Sequence, residues 1–91
     1  MKSEKRSKCQ IYLDVLQVLS EEIKMNNKFS LTRIAHRTNL PYDRFQNCMD
    51  RLIQLDMVSH DSNGRYVVTG KGLEYMEEYS RINEFLKRMG L

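Results

Sequence analysis

Ile11, Val15, Leu16, Val18, Leu19 and Ile23 recur at three- and four-residue steps, with Asp14, Glu21, Glu22 and Lys24 off that face. This is the period of a helix with one apolar side, and it predicts a first helix from about Arg6 to Lys24. Met25-Asn26-Asn27-Lys28 is a polar break. A short strand is expected at Lys28-Phe29-Ser30, with Phe29 anchoring it to the core. Leu31, Ile34 and Ala35 then share a face behind Ser30, a good N-cap residue, so a short second helix follows. Asn39-Leu40-Pro41 interrupts it, because proline drives the residue before it out of the helical region while its own φ suits a new helix start. In the third helix Phe45, Cys48, Met49, Leu52 and Ile53 form one face; Asp43, Asn47, Asp50, Arg51 and Gln54 form the other. Such a face split is the mark of a helix laid half on a core and half in solvent.

After Leu55 the period changes. Met57 to His60 alternates, Asp61-Ser62-Asn63-Gly64-Arg65 is turn-like, and Tyr66-Val67-Val68-Thr69 is rich in strand formers. Asn63-Gly64 is expected to supply the positive φ angles of a tight hairpin. A last helix is predicted from Gly70 to Met89, capped by Thr69 and closed near Gly90. Tyr75, Tyr79, Ile82, Leu86 and Met89 follow steps of four and three along it, a heptad seam with Leu73, Met76 and Phe85 beside it. A helix of that size is a rod of about 30 Å.

Two helices joined by a tight turn, the second with a polar outer face, define a helix-turn-helix pattern, and the hairpin directly after it occupies the position of a wing. The fold class expected is therefore mainly α with a small β-hairpin (α+β). Residues 1–69 are expected to form a winged helix-turn-helix domain with an N-terminal basic arm, and residues 70–91 a C-terminal dimerisation helix. The apolar stripe on the distal part of that rod is more than a small domain covers, so a homodimer through this helix is expected. The alternative is a monomer in which the rod folds back over the first helix.

Composition narrows this reading without redirecting it. With 91 residues, 41% of them hydrophobic, the chain can build one small core. Its 15 Lys and Arg against 12 Asp and Glu leave a charge of +3, which suits an anionic partner but does not demand one. The excess is uneven: Lys2, Lys5, Arg6 and Lys8 face Glu4 alone, a short cationic arm. Cys9 and Cys48 are too few for a disulfide framework and are not spaced as a metal site, so reduced thiols in a cytoplasmic protein are expected. No apolar run approaches a membrane span, and Asp14 interrupts the first apolar stretch too early for a signal-peptide core.

Taken together, Ile11, Asp14, Val15 and Leu16 in the first helix, Thr32, Ile34, Asn39, Leu40 and Tyr42 through the turn, Leu52 in the next helix, and Tyr66, Thr69, Lys71 and Gly72 around the end of the wing match a known pattern. The chain resembles the archaeal winged helix-turn-helix family of small ten-kilodalton DNA-binding proteins. That resemblance implies a double-stranded DNA partner, a transcriptional or chromatin role, nucleoid association, and pairing through a C-terminal antiparallel coiled coil. The chain departs from it at Asp56, where family members commonly carry a glycine before the first wing strand.

On this reading Asn47 is placed to pair with adenine and Arg51 with guanine or a phosphate, while Arg44 on the flank and Tyr42 at the helix start touch the backbone. Lys28, Arg33 and Arg37 are placed for phosphates, and Arg65 at the wing tip for a phosphate or the minor groove. Asp43 and Asp50 speak for the contrary view, an ordinary solvated face or an adaptor surface for a protein partner. The dimerisation residues are Tyr75, Tyr79, Ile82, Phe85, Leu86 and Met89. His36 and His60 lack the neighbours of a metal ligand or general base. Thr69-Gly70-Lys71-Gly72 lacks the spacing of a nucleotide loop, and no residue stands in a nucleophile setting, so neither an enzyme nor a cofactor is expected.

Overall fold

The computed structural model describes residues 6–25 and 29–91. Its elements run α1 (Lys8–Met25), α2 (Leu31–Arg37), α3 (Tyr42–Gln54), β1 (Val58–His60), β2 (Tyr66–Val68) and α4 (Gly70–Arg88). This is the four-helix and hairpin order read from the sequence, a winged helix-turn-helix with a long final helix. The first helix starts at Lys8 rather than Arg6: Ser7 Oγ accepts from the Gln10 amide at 3.1 Å, which marks Ser7 as its cap. Lys2 and Lys5 of the expected basic arm lie outside the described residues. Arg6 is bound to Asp14 at 2.6 Å.

Each apolar stripe faces one core. Val15, Leu16 and Leu19 of α1 meet Ile34 of α2, Phe45, Met49 and Leu52 of α3, and Val58 of β1, and all eight are buried. Cys48 and Ile53 sit at its edge, half-buried. Burying a side chain of this size contributes about 1.5–3 kcal/mol. The apolar face of α3 is thus what fixes the direction of its polar face.

Three helix ends use one backbone device. At α2, α3 and α4 the residue after the C-cap is left-handed: Asn39 at φ 61°, Asp56 at φ 63° and Gly90 at φ 82°. In each case that residue's amide reaches back three residues and the next amide reaches back five, as in Asn39 to His36 and Leu40 to Ala35, or Asp56 to Ile53 and Met57 to Leu52. These are Schellman closures, which satisfy carbonyls the helix leaves open. The closure at Asn39 is what makes the turn tight enough for Pro41 to cap α3 immediately. At the start of α4, Thr69 Oγ1 accepts from the Gly72 amide at 3.1 Å and donates to the Asp56 carbonyl at 2.6 Å, tying the new helix to the end of α3. Gly72 is required there, because a Cβ would collide with the Met57 carbonyl oxygen and the Val68 side chain.

Two expectations change. Phe29 and Ser30 are not in a strand, and the sheet has two strands, with Val58 opposite Val68 and His60 opposite Tyr66. Phe29 does not enter the core. It is 43% exposed and stacks on Tyr66 of the hairpin, ring centroids 5.9 Å apart. The hairpin connection is also longer than a two-residue Asn-Gly turn. Five residues span it, Gly64 alone takes a positive φ (79°), and the Asp61 side chain organises it by accepting from the amides of Asn63 at 2.8 Å and Arg65 at 2.9 Å. Asn63 has no positive φ because Asp61 supplies the turn that Asn-Gly would otherwise set.

Candidate nucleic-acid interface

With Phe45, Met49 and Leu52 inward, 100° steps put Asn47 and Gln54 on the crest of α3. Arg44 and Arg51 fall on the edge beside Cys48, and Asp43 and Asp50 on the opposite edge. All six are exposed. The outer face of the helix is therefore divided lengthwise, one edge basic and the other acidic. The side chain of Asn47 has no hydrogen-bond partner among the described residues, whereas Arg51 Nη1 donates to Gln54 Oε1 at 3.1 Å. Tyr42 lies exposed at the helix start, its hydroxyl accepting from Gln46 Nε2 at 3.0 Å. The basic edge looks across a cleft of about 300 Å³ to Lys8 and Tyr12 of α1.

Arg33 and Arg37 sit elsewhere and are differently engaged. One turn apart on α2, they converge on Glu22 of α1, whose side chain is 5% exposed: Arg33 Nη2 lies 2.5 Å from Oε1 and Arg37 Nη1 lies 2.9 Å from Oε2. Arg37 also holds Glu21 at 2.6 Å. Hydrogen bonds from Arg33, then from Arg37, keep the Glu22 carboxyl below the usual carboxylate range, outweighing its burial. A buried carboxylate is tolerated only with such partners. Two guanidinium groups facing two carboxylates present little net charge to a phosphate. The signal for this cluster was in the sequence, Glu21-Glu22 on the last turns of α1 and Arg33 with Arg37 four residues apart on the next helix, and sequence reasoning assigned only the arginines. Lys28 lies outside the described residues.

On the wing, Arg65 is exposed and has no ion-pair partner among the described residues. Its backbone amide, with that of Asn63, lowers the pKa of the Asp61 carboxyl. A hollow of about 470 Å³ separates Arg65 and Tyr66 from Leu31 and the end of α1.

The seam on α4 is divided. Tyr75 donates to the Cys9 carbonyl at 2.7 Å and Tyr79 to Gln10 Oε1 at 3.2 Å, so both lie against the start of α1. Desolvation, chiefly, raises the pKa of the Tyr75 phenol. Beyond them Ile82 (57% exposed), Phe85 (51%), Leu86 and Met89 (61%) stand in solvent. Among the described residues no helix is long and apolar enough to cross a membrane, and no three His, Cys, Asp or Glu are grouped to hold a metal.

A helix pair closed by a Schellman turn, an exposed polar helix face and an adjoining two-stranded wing define the class. The chain belongs to the winged helix-turn-helix family, whose family model matches residues 5–87, spanning α1 to all but the last residue of α4. No individual curated protein sequence matches it.

Proposed function

We propose that the protein binds double-stranded DNA as a homodimer and acts as a transcriptional regulator or a chromatin-associated, nucleoid-bound protein of the cytoplasm, like the archaeal ten-kilodalton proteins it resembles. The observation that carries this reading is the crest and basic edge of α3, where Arg44, Asn47 and Arg51 stand exposed on a helix whose other side is locked into the core. In such an arrangement the second helix of the pair enters the major groove and the wing rests on neighbouring backbone. Asn47 then meets a base edge, Tyr42 and Arg44 meet backbone at the groove margin, Arg51 meets a base or a phosphate, and Arg65 reaches a phosphate or the minor groove. Lys28, Arg33 and Arg37 stay in the proposal as phosphate contacts, the two arginines as lesser ones because Glu21 and Glu22 already hold them.

The dimer reading rests on the distal half of α4. Tyr75 and Tyr79 border the face, and Ile82, Phe85, Leu86 and Met89 form it. Charge along the helix is partly segregated: Lys71, Glu74, Glu77 and Glu78 lie in its first half, and Arg81, Glu84, Lys87 and Arg88 in its second.

A second reading, an adaptor that binds protein rather than DNA, is favoured by one observation, the acidic edge of Asp43 and Asp50 on the same helix. Duplex retention by Asn47→Ala with Arg44→Ala separates the two. Binding lost with an unchanged circular dichroism spectrum is the DNA outcome, and no retention of duplex by the wild type is the adaptor outcome; unchanged retention by the variant moves the DNA contact away from Arg44 and Asn47.

A further inference from the structure

The unneutralised positive charge near α3 is gathered in the cleft between the start of α1 and the helix edge. Lys8, Ile11 and Tyr12 of α1 face Arg44, Asn47, Cys48 and Arg51 across it, and among the described residues no carboxylate lines it. There is also no acidic residue in the first turn of α1. The thiol of Cys48 reports the local field: burial raises its pKa, while Arg44 and Arg6 oppose that rise. At about 300 Å³ the cleft is at the lower bound for a small-molecule site, and Lys8, Arg44 and Arg51 stand around a floor that includes Ile11, Tyr12 and Cys48. The contrast with α2 is direct, since Arg33 and Arg37 are held by Glu21 and Glu22.

We infer that this cleft seats the phosphodiester backbone of the DNA strand flanking the groove that α3 enters, with Lys8, Arg44 and Arg51 on its phosphates. The inference rests on the DNA-binding reading above and sharpens it in two ways. It makes α1, not α2, the helix that clamps the backbone. It also assigns Arg51 to a phosphate, because Arg51 lies with Arg44 on the edge of α3 that lines the cleft, although its guanidinium also donates to Gln54 on the crest and Asn47 borders the same cleft from the crest. Asn47 and Gln54 are left to face the bases. An acidic peptide is the competing occupant, and the salt and sequence dependence of binding distinguishes it.

The test uses Cys48 as a native reporter. In a Cys9→Ser background Cys48 is the one remaining thiol, and its alkylation by N-ethylmaleimide is followed with and without saturating duplex DNA. Lys8→Ala, Arg44→Ala and Arg51→Ala are titrated with duplexes of differing sequence across a salt series. Expected is a fall of about tenfold or more in the alkylation rate when DNA is bound. Each variant should weaken binding evenly across sequences and reduce the salt slope by about one. DNA that binds but leaves Cys48 unprotected, with slopes unchanged, overturns the cleft assignment and leaves the DNA reading intact. A change in base preference in Arg51→Ala returns that residue to base readout. Absence of any DNA binding at low salt overturns both. Lys8→Gln, at an exposed helix start, carries the test if an α3 variant does not fold.

Discussion

Asp56 holds a left-handed backbone, φ 63°, that the closure of α3 demands and that glycine would adopt without steric cost. Its position just before the wing was readable as a departure from the resembling family, and the structure supplies the reason: the closure exists and Asp bears it. Asp56→Gly is therefore expected to raise stability by about 0.5–1 kcal/mol, the steric relief offset in part by the greater freedom of glycine in the unfolded chain. Urea denaturation measures it, and a loss of stability would show that the Asp56 side chain has a native role. Glu22 makes the opposite case, a residue whose role the sequence concealed. Its carboxyl has a lower pKa folded than unfolded, so its contribution is present above the ordinary value of 4.5 and is lost as pH falls through the folded value. Stability of the wild type is expected to decline below about pH 4.5. Glu22→Gln should be less stable at neutral pH and show a flatter acid limb, the two curves meeting at low pH. Parallel curves would place the titration elsewhere, Asp61 being the next group with a lowered carboxyl.

Among elements, the helices were legible because their apolar residues repeat with one period over two turns or more. The stripe of α3, Phe45 with Met49 and Leu52, is the clearest, and it is buried. Phe29 was misread for a physical reason: a single aromatic beside a polar break carries no period, and stacking on Tyr66 serves it as well as core burial. The hairpin was legible as an element but not in its turn, because the Asp61 side chain replaces the backbone geometry that Asn-Gly suggests. For α4, the heptad seam is continuous in sequence, yet Tyr75 and Tyr79 face α1 and only the stretch from Ile82 onward is free. Light scattering on the wild type is expected to give twice the 10.9 kDa chain mass, and Ile82→Asp with Leu86→Asp the mass of one chain with an unchanged fold. A wild-type monomer at high concentration would remove the dimer from the proposal.

At the scale of the molecule, the position of the candidate surface could be read from the chain, but its charge distribution could not. Helical spacing predicts which side of α3 faces out; it says nothing of which helix lies beside each edge, so the pairing of Arg44 and Arg51 with Lys8 across a cleft, and of Arg33 and Arg37 with Glu22, required the packing of α1 against both α2 and α3. The net charge of +3 is small because 12 carboxylates offset 15 cations, which leaves the DNA proposal resting on where the cations are placed. Phosphate contacts release counterions, so binding through that surface must weaken steeply with salt. The decisive measurement is fluorescence anisotropy of a labelled duplex titrated with the protein at several salt concentrations. With roughly eight phosphate contacts per dimer, log K is expected to fall by about seven for each tenfold rise in salt; a flat response, or no binding at the lowest salt, would contradict the account.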